Sequence, residues 1–114
     1  MYHRFEENKY PSTNIKIKDF KKHLDLIKEN EFNFISHKEF VESINSKNLD
    51  RKILLTIDDG FKSFYENAWP ILKQRKIPFI IFINTETVGS NGYMDWPEIK
   101  EISSFEFVHI GNHS

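Results

Sequence analysis

Apolar and polar positions fall into blocks along the chain, and the period changes from block to block. In residues 17–30, Phe20, Leu24 and Ile27 recur at i, i+4 and i+7 among charged neighbours, which predicts a helix with one buried face. Residues 63–76 repeat the pattern with Phe64, Ala68, Ile71 and Leu72, and Pro70 inside it predicts a kink or an end to the first part. Ser36 followed by Glu39 is a capping-box signature, opening a short helix with Phe40, Val41 and Ile44 inward. Residues 96–102 read as a further short helix, with Pro97 suited to its first turn.

Between these lie short apolar runs with strand character. They cover residues 1–5, 32–35, 53–57, 79–83 and 105–110. Residues 79–83, Phe-Ile-Ile-Phe-Ile, have no polar position, as expected of a strand buried on both faces. Residues 6–14, 46–50 and 85–95 are polar or glycine-rich and read as connections. The order β-α-β-α-β-α-β-α-β predicts an α/β fold, a parallel sheet with crossover helices. A closed (β/α) barrel usually takes ~250 residues. The 114 residues therefore suit either a small doubly wound sheet or a partial barrel, as one domain.

Charge and composition narrow the function. Acids and bases nearly cancel, 17 against 16, which argues against nucleic-acid binding. Lys16, Lys18, Lys21 and Lys22 read as a solvated helix face. No cysteine is present, so disulfides and cysteine-based zinc sites are excluded. No apolar stretch approaches the ~20 residues that span a bilayer, and the first ten residues lack the apolar centre of a signal peptide.

Candidate chemistry concentrates where the run 53–57 ends in Asp58, Asp59 and Gly60. Adjacent carboxylates at a strand end can divide the work of metal-assisted hydrolysis, one ligating a cation and the other acting as general base. His113, after the last strand, would supply a nitrogen ligand of the type zinc favours. The bland alternatives are a turn with an aspartate capping the next helix, and an exposed loop histidine. His3 either borders the site or serves structure; His23 and His37 read as surface residues and His109 as packing. Tyr93, Asp95 and Trp96 suit either a sugar platform or the anchoring of a helix start.

Thr56-Ile57-Asp58-Asp59-Gly60 resembles the Thr-Phe-Asp-Asp-Gly motif of the polysaccharide deacetylases, with Ile57 in place of Phe. Residues 1–5, 61–73, 77–83, 93–100 and 110–114 resemble the same family in order. The resemblance implies a distorted (β/α) barrel and a hydrolase removing acetyl groups from N-acetylated or O-acetylated polysaccharide, cutting a carbon–nitrogen non-peptide bond. It makes Asp58 the catalytic base and Asp59 and His113 ligands of a divalent metal, zinc above all. His113 and Ser114 match the start of the family's His-Ser/Thr-x-x-His motif, whose second histidine would fall beyond Ser114.

The resemblance reaches the family's amino-terminal half, so the chain is expected to be one deacetylase domain truncated at its carboxyl end, with the general acid in the part not present. It also implies an acetylated glycan as partner and a place in the periplasm, at the cell envelope or outside the cell. A second reading is an inactive fragment with at most weak metal or glycan binding. A third, a phosphatase-like or response-regulator-like sheet, fits less well: the phosphatase pattern spaces its aspartates by one residue before Gly-Thr, whereas these are adjacent and Phe61 follows Gly60.

Overall fold

The structure is a computed structural model that describes residues 1–7, 14–47 and 50–112. Its elements are β1 (Arg4–Phe5), β2 (Asn14–Ile15), α1 (Ile17–Glu29), β3 (Asn33–Phe34), α2 (His37–Ser46), β4 (Lys52–Ile53), β5 (Leu55–Asp58), a π-helical turn (Phe64–Ala68), α3 (Trp69–Arg75), β6 (Phe79–Ile83), α4 (Trp96–Ser103) and β7 (Val108–Asn112). Three ladders form, β1–β2, β3–β4 and β5–β6–β7, and all are parallel. The alternation of strand and helix thus produces the parallel α/β arrangement that it predicts.

Parallel register puts the carboxyl ends of the central strands on one rim. Asp58 pairs with Phe82, Phe82 with Gly111 and Ile83 with Asn112. Tyr2 joins the opposite edge of β5: its N–H donates to the Thr56 carbonyl at 3.0 Å, and its carbonyl accepts from the Asp58 N–H at 2.8 Å.

Side chains alternate across a strand, and this separates two faces. Leu55, Ile57, Phe79, Ile81, Ile83, Val108 and Ile110 meet Phe20 and Leu24 of α1, Leu72 of α3 and Ile99 and Ile102 of α4 in one apolar cluster. Thr56, Asp58, Ile80, Phe82, His109 and Gly111 belong to the other face. Phe5, Phe20 and Phe64 close the cluster beneath β1 through tilted and edge-on ring contacts with centroids 5.0 and 5.8 Å apart.

Several expectations need correction. The strand predicted over 53–57 begins at Lys52, breaks at Leu54 and continues to Asp58. Its two parts have different partners, β3 for the first and β6 for the second. A short strand, β2, lies partly within the predicted loop. The last strand covers Val108–Asn112 rather than 105–110, because the β6 ladder fixes its register. Phe105 and Phe107 pack against Trp69 instead.

In α2 the capping box is present, but Val41 and Ile44 are exposed and the buried residue is Ser43, whose hydroxyl accepts from Lys52 Nζ at 2.9 Å. Of the predicted stripe, Phe40 is half-buried and Val41 and Ile44 remain 43% and 49% exposed.

Pro70 does not kink the predicted helix in the ordinary way. Ahead of it the helix widens into the π turn, where the Trp69 N–H donates to the Phe64 carbonyl, and Pro70 occupies the first turn of α3. A proline there lacks an N–H and crowds the carbonyl four residues back. The wide turn accommodates both constraints.

Candidate active site at the carboxyl ends of the strands

Asp58 is the last residue of β5, on the face turned away from the helices. It is only 8% exposed, and its backbone is held by the Tyr2 carbonyl. Asp59 and Gly60 follow with φ of +75° and +68°, so the chain turns through two consecutive left-handed residues. Aspartate tolerates that region better than most side chains. A Cβ at Gly60 would lie 2.7 Å from Ile83 Cδ1. The turn is fastened to the 85–95 loop: the Gly60 carbonyl accepts from Met94 N–H at 3.0 Å, and Lys62 N–H donates to the Gly92 carbonyl at 2.8 Å. Phe61 and Tyr93 form an antiparallel bridge with ring centroids 4.9 Å apart.

The pairing of Tyr2 with Ile57 sets the next residue, His3, level with Asp58. Its Nε2 lies 3.5 Å from Asp58 Oδ2, and both side chains keep a partial opening to solvent. At this distance a protonated imidazole forms an ion pair with the carboxylate, and a neutral one needs only a small shift to hydrogen-bond it. Of the two readings of His3, the structure favours the one bordering the acids. The alternation of Tyr2, His3 and Arg4 carried no signal for this, because the contact depends on which strand lies next to β1.

The other candidates separate. His113 lies outside the described residues. Among those residues no group of three or more His, Asp or Glu side chains is placed to hold a metal ion. His23 is exposed and bonds the Tyr2 hydroxyl at 2.9 Å through Nδ1. His109 is exposed, and its ring stacks on that of His37 with centroids 3.9 Å apart. Partial desolvation, with the neighbouring His37 second, pushes the His109 imidazole below its ordinary value.

Tyr93 and Asp95 have structural work, the first against Phe61 and the second capping α4 with Glu98 as its reciprocal partner. Trp96 is 55% exposed and lines a rim cleft of about 240 Å³ with Ile83, Thr85 and Asn112 among its walls.

A family model described as polysaccharide deacetylase matches residues 45–114, more than half of the chain. The chain belongs to the polysaccharide deacetylase family. Among curated deacetylases, the poly-beta-1,6-N-acetyl-D-glucosamine N-deacetylase of Staphylococcus aureus is 32% identical over 93 residues, 81% of this chain and 32% of that protein. Among solved deacetylase structures, IcaB from Ammonifex degensii is 28% identical with a TM-score of 0.82, over 98% of this chain and 50% of that one. The de-N-acetylase from Aggregatibacter actinomycetemcomitans is 21% identical with a TM-score of 0.86, over 98% of this chain and 52% of that one, a likeness of fold. The chain thus spans 26–40% of the first curated relatives and about half of these structures.

Proposed function

We propose that these residues form the amino-terminal part of a metal-dependent deacetylase domain acting on N-acetylated or O-acetylated polysaccharide, folded as a portion of a distorted (β/α) barrel. The observation that carries this reading is the pair of acids at the end of a parallel strand, with the His3 imidazole 3.5 Å from Asp58. Family membership and the S. aureus relative supply the substrate class.

In this reading Asp58 is the general base. It is buried enough to be held in one place and still has an opening to solvent. It takes the proton of a water molecule as the water oxygen bonds to the acetyl carbon. On an N-acetylated unit, collapse of the tetrahedral adduct breaks the carbon–nitrogen bond. His3, within reach of the same carboxylate, carries a proton to the departing amine, a role the resemblance had given to a histidine in the absent part. The products are acetate and a free amino sugar.

Asp59 and His113 would hold the divalent cation, with zinc the first choice. Asp59 is half-exposed at the rim beside the buried Asp58, carboxylate and imidazole are both zinc ligands, and a zinc site needs at least one protein ligand more than these two. A bound cation would polarise the acetyl carbonyl and acidify water. By the same family resemblance, the proposed site of action is the periplasm, the cell envelope or the exterior.

A second reading is that the 114 residues alone are inactive and bind metal or glycan weakly at most. It is favoured by their covering only about half of the related structures. Acetate release from an acetylated chito-oligosaccharide, measured with the chain alone and with a version extended to the relatives' length, separates the two. Turnover by the extended protein that Asp58→Asn abolishes without loss of bound zinc supports the deacetylase reading. No turnover by a folded, zinc-loaded extended protein overturns it.

A further inference from the structure

We infer that Ser63 and Asn67 are positioning residues that brace β1 so that His3 stays beside Asp58. The inference rests on the proton-transfer role just proposed for His3.

His3 sits between two attachments. Before it, Tyr2 is fixed by two backbone hydrogen bonds to Thr56 and Asp58. Beyond Asp58 the chain turns away, so β5 offers β1 no further ladder. At that point the helical segment after the acid turn takes over. Ser63, just ahead of the π-helical turn, and Asn67, within it, both reach Phe5. The Phe5 N–H donates to Ser63 Oγ at 3.0 Å, and the Phe5 carbonyl accepts from Asn67 Nδ2 at 3.0 Å. Two side chains thus complete both backbone groups of one strand residue, as a neighbouring strand would.

The Ser63 hydroxyl proton has a partner of its own. The Ser63 hydroxyl donates to Glu7 Oε2 at 2.6 Å, so its oxygen is left to accept from Phe5. Glu7 is itself held, its carboxylate by Arg4 at 3.0 Å and its N–H by Asn14 Oδ1 at 2.9 Å. Ser63 is buried and Phe5 fully so. Losing the hydroxyl would strand a buried N–H with no water to replace it. One continuous stretch of chain, from Asp58 to Asn67, therefore carries both the carboxylate and the brace for the strand bearing its imidazole partner. His3 is clamped on both sides by the segment whose acid it faces.

The test reads the coupling of His3 to Asp58 without activity, in the 114-residue chain, from the His3 ring ¹H–¹³C resonance. Asp58→Asn should move that resonance. In Ser63→Ala and Asn67→Asp backgrounds, the same substitution should move it by less than half as much. Ser63→Thr, which keeps the hydroxyl, should restore the full response. The nearly isosteric Asn67→Asp guards against Ser63→Ala failing to fold. If Asp58→Asn leaves the resonance unmoved in the parent chain, the His3–Asp58 reading itself falls. A full response retained in both backgrounds overturns the positioning role alone. In an active extended protein, each brace variant should lower kcat by about 10²-fold with KM little changed, the cost expected of a misplaced reacting group.

Discussion

The ring of His37, first residue of α2, lies flat on that of His109 in β7, with planes 12° from parallel. Lys38 and Glu106 line the same recess. The His109 imidazole is held below its ordinary value of 6.5, by partial desolvation first and by His37 second. Unfolding releases that constraint, so the unfolded chain takes up the proton first as pH falls. The contribution of His109 to stability is fully present above 6.5 and is lost as pH falls to its depressed folded value. Thermal midpoints between about pH 8 and pH 5 should therefore decline, and His109→Asn should flatten that decline. An unchanged slope in the variant would refute the linkage.

A carboxylate acts in a more acidic window. Glu101 is held below its ordinary value, first by the Tyr65 hydroxyl and then by the Trp69 indole N–H. Its stabilisation is present above that ordinary value and disappears as pH falls through the lowered folded one. Glu101→Gln should weaken the chain near neutrality and narrow its difference from the parent in acid. The side chain is exposed, so the effect will be modest. Parallel denaturant titrations at the two pH values would measure it.

Gly111 has no room for a side chain. A Cβ there would lie 2.6 Å from Cδ1 and 2.7 Å from Cε1 of Phe82 on the adjoining strand. Gly111→Ala should cost about 1–3 kcal/mol, the usual range for overpacking. Adding Phe82→Leu should recover part of that loss, a non-additivity that a double-mutant cycle in urea would detect.

Leu72 is completely buried between helix and sheet. Leu72→Ala should destabilise by about 2–5 kcal/mol. Thermal unfolding would show it as a lowered midpoint. A change below 1 kcal/mol would mean that the neighbouring phenyl rings collapse into the space.

In an extended, active protein, Asp58→Asn and His3→Gln should each reduce kcat by about 10²–10⁴-fold, the range for losing a general base or acid. Unaltered turnover in His3→Gln would move the proton donor elsewhere. Unaltered turnover in Asp58→Asn would remove Asp58 as the base.

Much of the fold was legible because it is written locally. The apolar run 79–83 is β6 to the residue, and α1 ends one residue short of its predicted limit. Ser36 and Glu39 form the capping box their spacing announced. What escaped depends on partners distant in sequence. The break at Leu54 reflects a change of neighbour, and the shift of β7 reflects the register imposed by β6. The exposed stripe of α2 had the right period, yet periodicity says nothing about whether a surface exists to meet it. At the site, the acids at the strand end were readable as a pattern. The approach of His3 was not, since only the pairing of Tyr2 with Ile57 brings it there. The pairing of Asp59 with His113 on one cation lies beyond the described residues.

The π-helical turn gives this helical segment one residue more than an ordinary α-helical repeat would use, so it does not respond alike to losing and to gaining a residue. Ser63 and Asn67, which hold Phe5, lie ahead of or within it, while Trp69 and Leu72, which fill the core, lie after it. Deleting one residue within the turn would restore an ordinary α-helical repeat and leave the two halves facing nearly as before, whereas inserting one more would rotate one half by about 100° against the other. After an insertion, either the grip on the first strand or the seating of the indole would be given up. A single-codon insertion there should therefore be more damaging than a single-codon deletion of Tyr65 or Glu66, though in both every side chain that holds Phe5 or fills the core would still be encoded.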